Sequence, residues 1–269
     1  MNKWGKTAVG AVIVVVLLFP LYWMVNASLQ PSGALLKANP DWFPVHATFA
    51  GYSEAFANEL GNLLTSVIVA AGTVAVSLLI AMPCAYALAQ LRVRGGPVLV
   101  FALLIVQMIP GIVMANSLYT VFSNLNLIDS YGALILADST ATIPFAILVL
   151  RAFMIGIPKD LTEAARVDGA GYFRTFRSII VPVSRNAMVT AGLFAFLFSW
   201  ADFLFGVTLT TGQTIQPITV GIYKFIGNQT ADWNGIMATA VLASVPAAVL
   251  LVIAQRYVVA GVTGGAIKE

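Results

Sequence analysis

The sequence predicts an all-α, polytopic membrane protein with six spans and both termini in the cytoplasm. Three observations carry that prediction. First, the chain of 269 residues is 59% hydrophobic and only 9% charged, against roughly 25% charged in soluble domains; its mean hydropathy is +0.91. Second, the apolar residues gather into runs long enough to cross about 30 Å of hydrocarbon. Third, the basic residues collect in alternate loops, as the positive-inside rule requires. The net charge of +3 therefore points to a membrane surface or a partner, and not to nucleic acid.

Residues 8–27 make the first span. Lys3 and Lys6 precede it, and Tyr22 and Trp23 suit an interfacial aromatic belt. Val25-Asn26-Ala27 has the form of a leader cleavage site, but the apolar run is long for a leader. Residues 28–61 form a polar loop with Pro31, Pro40 and Pro44, carrying a short surface helix over 52–60. The second span, 62–90, is longer than a bilayer needs and so tilts or projects into water. Ala70, Ala71, Gly72 and Ala75 offer it a small-residue packing face, and Pro83 a kink. A basic turn at Arg92, Arg94, Gly95 and Gly96 leads to the third span, 97–122, with a break at Pro110-Gly111. The fourth, 131–155, is interrupted at Asp138-Ser139-Thr140 and at Pro144; the fifth, 186–209, and sixth, 236–259, flank a polar loop. With the N-terminus inside, only Lys37 and Lys224 of the 14 Lys and Arg residues fall outside.

The stretch 157–182 breaks the apolar pattern with Glu163, Arg166, Asp168, Arg174 and Arg177. Asp160 stands where an N-cap belongs, with Glu163 three residues on as in a capping box. The helix runs to about Asp168, where Gly169 and Gly171 permit a turn. A second short helix puts Phe173, Phe176, Ile179 and Ile180 on one side and stops at Pro182. Small Ala164 and Ala165 allow another backbone to approach, and the charges supply steering and register. An ordinary basic loop explains the same charges equally well.

Glu163-Ala164-Ala165, three residues, Gly169, nine residues, then Ile179-x-Val181-Pro182 resembles the EAA motif of ABC-transporter permease subunits, with Val181 in place of the usual Leu. Further pieces are similar to the maltose-type carbohydrate-uptake branch of that family. They are 85–89, Met108-Ile109-Pro110-Gly111, 157–161, Val167-Asp168-Gly169-Ala170, Trp200-Ala201-Asp202-Phe203 and 261–266. Ala201 departs from that branch's usual Asn, Arg185-Asn186 from its Pro, and Glu269 from its terminal Gly.

The resemblance implies one transmembrane permease domain over 1–269. It implies a multi-pass subunit of the cell membrane forming half of a translocation path in an ATP-driven importer of a sugar or oligosaccharide. Its implied partners are a second, related permease, two ATP-binding subunits and an extracytoplasmic solute-binding protein. It implies no cofactor in this chain, with ATP and magnesium held by the partner ATPase. Coupling would run through Glu163, Ala164, Ala165, Asp168, Gly169, Ile179 and Pro182. The alternative is a self-sufficient secondary transporter of a small polar solute, which should show an internal inverted repeat; none stands out.

A charge within hydrocarbon costs roughly 2.5–3.5 kcal/mol, so it should face a bundle interior or a wet cavity. Asp138 and Asp202 are the two candidates for a substrate path. Asn116 joins them, with Trp200 as a stacking platform for a sugar face, and Gln107 and Ser117 are lesser candidates. Helix cross-linking explains the same residues. The single Cys84 permits no intramolecular disulfide, and it and the single His46 build no catalytic or metal cluster, so an intramembrane enzyme is disfavoured.

Overall fold

The computed structural model describes residues 3–37, 39, 41–91, 93–212, 214–227 and 232–266. Arg92 and Lys268 of the charge count, and Glu269 of the tail, lie outside them. Every regular element among the described residues is helical. In chain order these are α1 (Lys3–Ser28), α2 (Ala50–Gln90), α3 (Gly96–Val106), α4 (Gly111–Asn124), α5 (Tyr131–Ile155), α6 (Lys159–Val167), α7 (Tyr172–Val183), α8 (Arg185–Ala201), α9 (Leu204–Leu209), α10 (Ile218–Gly227) and α11 (Trp233–Ala266). Four helices are long and apolar enough to cross a membrane: α1, α2, α5 and α11 over Trp233–Arg256. The number reaches six if the bent pairs α3–α4 and α7–α8 each count as one span.

Several boundaries differ from expectation. The surface helix expected over 52–60 is continuous with the second span, giving one helix of 41 residues. No proline lies between Tyr52 and Met82 to remove a donor, so the helix runs through Gly61 without a stop. α5 is unbroken through Asp138-Ser139-Thr140 and Pro144. The polar side chains there turn onto their own helix: Ser139 donates to the Ile135 carbonyl at 2.6 Å, Thr140 to Ala137 at 2.6 Å and Thr142 to Asp138 at 3.0 Å. α10 occupies part of what reads as a plain loop.

The third span does break at Pro110, where α3 and α4 meet at 95°. The chain tightens first, with Met108 bonding the Ile105 carbonyl and Ile109 that of Val106, before Pro110 takes an extended conformation. The fifth span is also broken, because Asp202 is extended between α8 and α9.

Contacts divide the described chain into two compact units, one of residues up to Leu63 with 218–246, the other of 64–217 with those from Ala247 onward. In the first, buried Asn234 donates to the carbonyls of Ser28 at 2.9 Å and Gln30 at 2.7 Å, while the Ser28 and Tyr52 hydroxyls pair at 2.7 Å. Asn26 and Gln30 both donate to the Asp41 carbonyl. In the second unit, Gly72 lets α2 close on α5: a Cβ there would sit 2.5 Å from Ile135 Cδ1. The Ser77 and Thr142 hydroxyls pair at 2.7 Å across the same two helices. Of the four expected packing residues, Ala70 is buried and Gly72 half-buried, but Ala71 and Ala75 are exposed.

The turn between α4 and α5 passes through Asn126 and Asp129, both at positive φ. The Asp129 carboxylate accepts the Thr211 hydroxyl at 2.7 Å and the Gly212 N–H at 2.8 Å. Partial burial pushes this carboxyl up, but those donors outweigh it and hold it below its ordinary value.

Candidate coupling surface and cavity

α6 begins one residue before Asp160. Its N-cap is Pro158, already fixed in an extended conformation at φ −56°, ψ 133°, and no side chain caps it. The expected capping box of Asp160 and Glu163 is therefore absent; Asp160 lies in the first turn, where its charge suits the helix's positive end. The other end is as expected. Asp168 is the C-cap and Gly169 adopts φ +77°, with Gly169 bonding the Arg166 carbonyl at 3.0 Å and Ala170 that of Ala165 at 2.8 Å. This pair of bonds is a Schellman motif, which reverses the chain toward α7.

α7 does not stop at Pro182. It widens into a π-turn over Phe176–Ile180 and ends after Val183. Pro182 lacks the N–H that would bond Ser178, and the wider turn absorbs that loss. Phe173, expected on one side with Phe176, Ile179 and Ile180, is 74% exposed, whereas Thr175 and Ile180 are buried and Phe176 and Ile179 half-buried.

The base of this hairpin is built into the apolar core. Ile157 and Ile180 pack with Met82, Tyr86, Leu150 and Met154. The Phe176 ring lies 5.5 Å from that of Tyr86, and the Gln90 amide donates to the Met154 carbonyl at 2.6 Å and that of Ile157 at 3.3 Å. Thr162 and Ala165 face this base. Glu163, Ala164 and Asp168 face outward. Beside them stand Val167, Tyr172 and Phe173, which the sequence reading did not assign to the docking face and which are 88%, 62% and 74% exposed. The Arg166 guanidinium lies over the Tyr172 ring, 4.8 Å from its centroid. The hairpin thus presents charge and apolar area on a supported base. Ala165 belongs to that base, while Ala164 is open to an approaching backbone.

A cavity of about 620 Å³ opens at the α3–α4 bend, lined by Gln107, Met114, Thr140, Phe145, Phe198 and Asp202 among others. The Asp202 carboxylate accepts the Gly206 N–H at 3.1 Å and also those of Leu204 and Phe205, so it caps α9 while touching the cavity. Asp138 is 2% exposed and does not line the cavity. Ser199 donates to one of its oxygens, and the other is buried without a partner. Trp200 is buried and stacked on Phe196, with centroids 5.3 Å apart. Asn116 lies in a separate groove with Ser117 and Thr208. The four expected path residues are not gathered: Asp202 alone reaches the cavity, joined by Gln107 and by Thr140. Aromatic Phe145 and Phe194, edge to face at 5.3 Å, line it without any polar signal in the sequence.

A helical membrane body with a supported, outward-facing hairpin and a cavity at broken helices defines a transport subunit. Residues 77–264 match the binding-protein-dependent transport system inner membrane component family, and the chain belongs to it. It is 32% identical over 253 residues to the sulfoquinovosyl glycerol transport system permease protein SmoH of Agrobacterium fabrum, covering 93% of this chain and 89% of that protein. It is 32% identical over 255 residues to the trehalose transport system permease protein SugB of Mycobacterium tuberculosis, covering 93% and 92%. The trehalose/maltose transport system permease protein MalG of Thermococcus litoralis is 27% identical, covering 97% and 95%. Among solved structures, a bacterial ABC transporter involved in the import of the acidic polysaccharide alginate shares the fold at TM-score 0.80 and 19% identity, covering 94% of both chains. The resemblance to the maltose-type permeases therefore holds, and the chain is a multi-pass ABC-importer permease subunit rather than an enzyme.

Proposed function

We propose that this permease imports a sugar or oligosaccharide across the cell membrane, as half of a path completed by a second, related permease. The outward hairpin face of Glu163, Ala164 and Asp168, on its buried base, carries this reading. It is shaped to sit against a cytoplasmic ATPase, with Gly169 making its turn and Ile179 and Pro182 completing its second arm. Two such ATP-binding subunits would hold the ATP and magnesium. Movement of the ATPases would swing the hairpin as a lever and reopen the cavity on the other side. In this reading the chain has six spans and cytoplasmic termini; the four to six apolar helices support it, as do relatives named for trehalose, diacetylchitobiose and sulfoquinovosyl glycerol transport. An extracytoplasmic binding protein would deliver the solute; a related alginate transporter was solved with its periplasmic protein bound.

Within the path, Asp202, Gln107 and Thr140 would meet the solute's hydroxyls and the Phe145–Phe194 pair would offer it an aromatic wall. Asp138, Asn116 and Trp200 would serve it from farther off, through packing or through the neighbouring groove. Affinity purification of the tagged chain from native membranes tests the reading. Recovery of an ATPase, a second permease and a binding protein is expected. A chain that purifies alone and moves solute in liposomes without ATP would restore the secondary-transporter alternative.

A further inference from the structure

A second cavity, of about 570 Å³, lies among α2, α8 and α11, away from the one described above. Its walls are Val74 and Leu78 on α2, Met188 and Phe196 on α8, and Leu250 and Ile253 on α11. Among the described residues, the only ionisable one lining it is Arg185, exposed at the start of α8. Gly192 forms part of its floor, where a Cβ would already touch Val74 and Leu78 at 3.5 Å. From Arg185 to Phe196 α8 rises about 16 Å at 1.5 Å per residue, close to half of the roughly 30 Å hydrocarbon thickness. A groove that is apolar for the depth of one leaflet, with a cation at one end, has the form of a phospholipid.

We propose that this groove holds an anionic phospholipid, its acyl chain along Met188, Gly192 and Phe196 and its phosphate on the Arg185 guanidinium. The planar guanidinium pairs two phosphate oxygens at once, and the apolar walls match a hydrocarbon tail without leaving any polar group unpaired. Placement in the cytoplasmic leaflet rests on the topology proposed above; retention of the lipid does not.

Native mass spectrometry of the full chain tests this, after purification in mild detergent and incubation with phosphatidylglycerol or phosphatidylcholine of matched chains. The wild type should retain one phosphatidylglycerol in preference to phosphatidylcholine. Arg185→Ala, at an exposed position that spares the fold, should reduce that preference about fivefold, the weight of one arginine near an anionic surface. Gly192→Phe should fill the groove and abolish retention of both lipids, with helicity and monodispersity checking that it still folds. Equal retention of the two lipids by the wild type, or an unchanged preference in Arg185→Ala, overturns the proposal. So does occupation of the groove by another protein chain, seen as crosslinks from Met188→Cys to a second subunit with no lipid retained. Doxyl-lipid quenching of a label at position 188 reports the leaflet separately, so a failed topology and a failed lipid site give different results.

Discussion

The Gln90 side-chain amide donates to the backbone carbonyl of Met154 at 2.6 Å, joining the end of α2 to the chain that leads into the α6–α7 hairpin. The same amide reaches the Ile157 carbonyl. The Met154 carbonyl already accepts the Ile157 N–H at 3.2 Å, so the amide adds a second bond there and ties down Ile157, two residues past the end of α5. Gln90→Leu should cost about 0.5–1.5 kcal/mol of stability, the net worth of a side-chain hydrogen bond whose acceptor at Met154 keeps its backbone donor. It should also lower transport per ATP in the reconstituted complex by slackening the hairpin's base. A melting curve and paired uptake and hydrolysis assays check both effects.

Glu163→Lys reverses a charge on the outward face without touching the buried base. Spans should insert normally and the chain should remain stable. Uptake should fall severalfold more than ATP hydrolysis, which marks uncoupling rather than misfolding. Normal uptake in this variant would remove the docking role from Glu163.

Gly169→Ala tests the turn alone, since a Cβ there meets nothing within 4 Å and only the φ of +77° opposes it. A cost of about 1 kcal/mol is expected, in line with left-handed backbone at a non-glycine residue. Gly169→Asn, which tolerates that conformation better, should recover part of the loss. Gly169→Pro cannot adopt the conformation and should uncouple uptake from hydrolysis.

Asp138 and the cavity residues should separate kinetically. Asp138→Ala removes the acceptor of the Ser199 hydroxyl and should lower the yield of folded protein by the equivalent of about 1–3 kcal/mol, leaving the surviving molecules with an unchanged KM for solute. Asp138→Asn should restore the yield. Gln107→Ala and Thr140→Val, on the cavity wall, should instead raise KM at normal yield. Concentration-dependent uptake normalised to membrane-inserted protein distinguishes the two patterns.

The Asp129 clamp should be pH-dependent. Its carboxyl titrates below its ordinary value in the folded chain, so its contribution is complete above the ordinary carboxylate range and disappears as pH falls through the lowered value. Protection of the Gly212 amide from hydrogen exchange should hold at neutral pH and collapse in acid. Asp129→Asn keeps the positive φ accessible but should flatten that dependence.

Much of this was legible without coordinates. Runs of apolar residues marked the spans because hydrocarbon tolerates only helices whose backbone is satisfied internally. Glu163, Gly169 and Pro182 marked the hairpin through their spacing, which resembles the EAA motif, whereas their charge and glycine content alone suit an ordinary basic loop equally well. Pro110 marked the bend because it removes a donor from the helix. Other features needed the tertiary structure. The helix start at Pro158 displaced Asp160 because a ring-fixed φ sets the cap before any side chain can. The continuity of α5 through Ser139, Thr140 and Thr142 depended on hydroxyls returning to their own carbonyls. Which polar residue reaches the cavity was decided by packing between distant helices: Asp202 stands where α8 breaks, whereas Asp138 is buried beside Ser199 and Trp200 is stacked on Phe196. Local spacing determines helices and turns because their bonds lie within a few residues. The facing of a side chain across the bundle depends on contacts some 60 residues apart, as between Asp138 and Ser199, and no periodicity in the sequence records them.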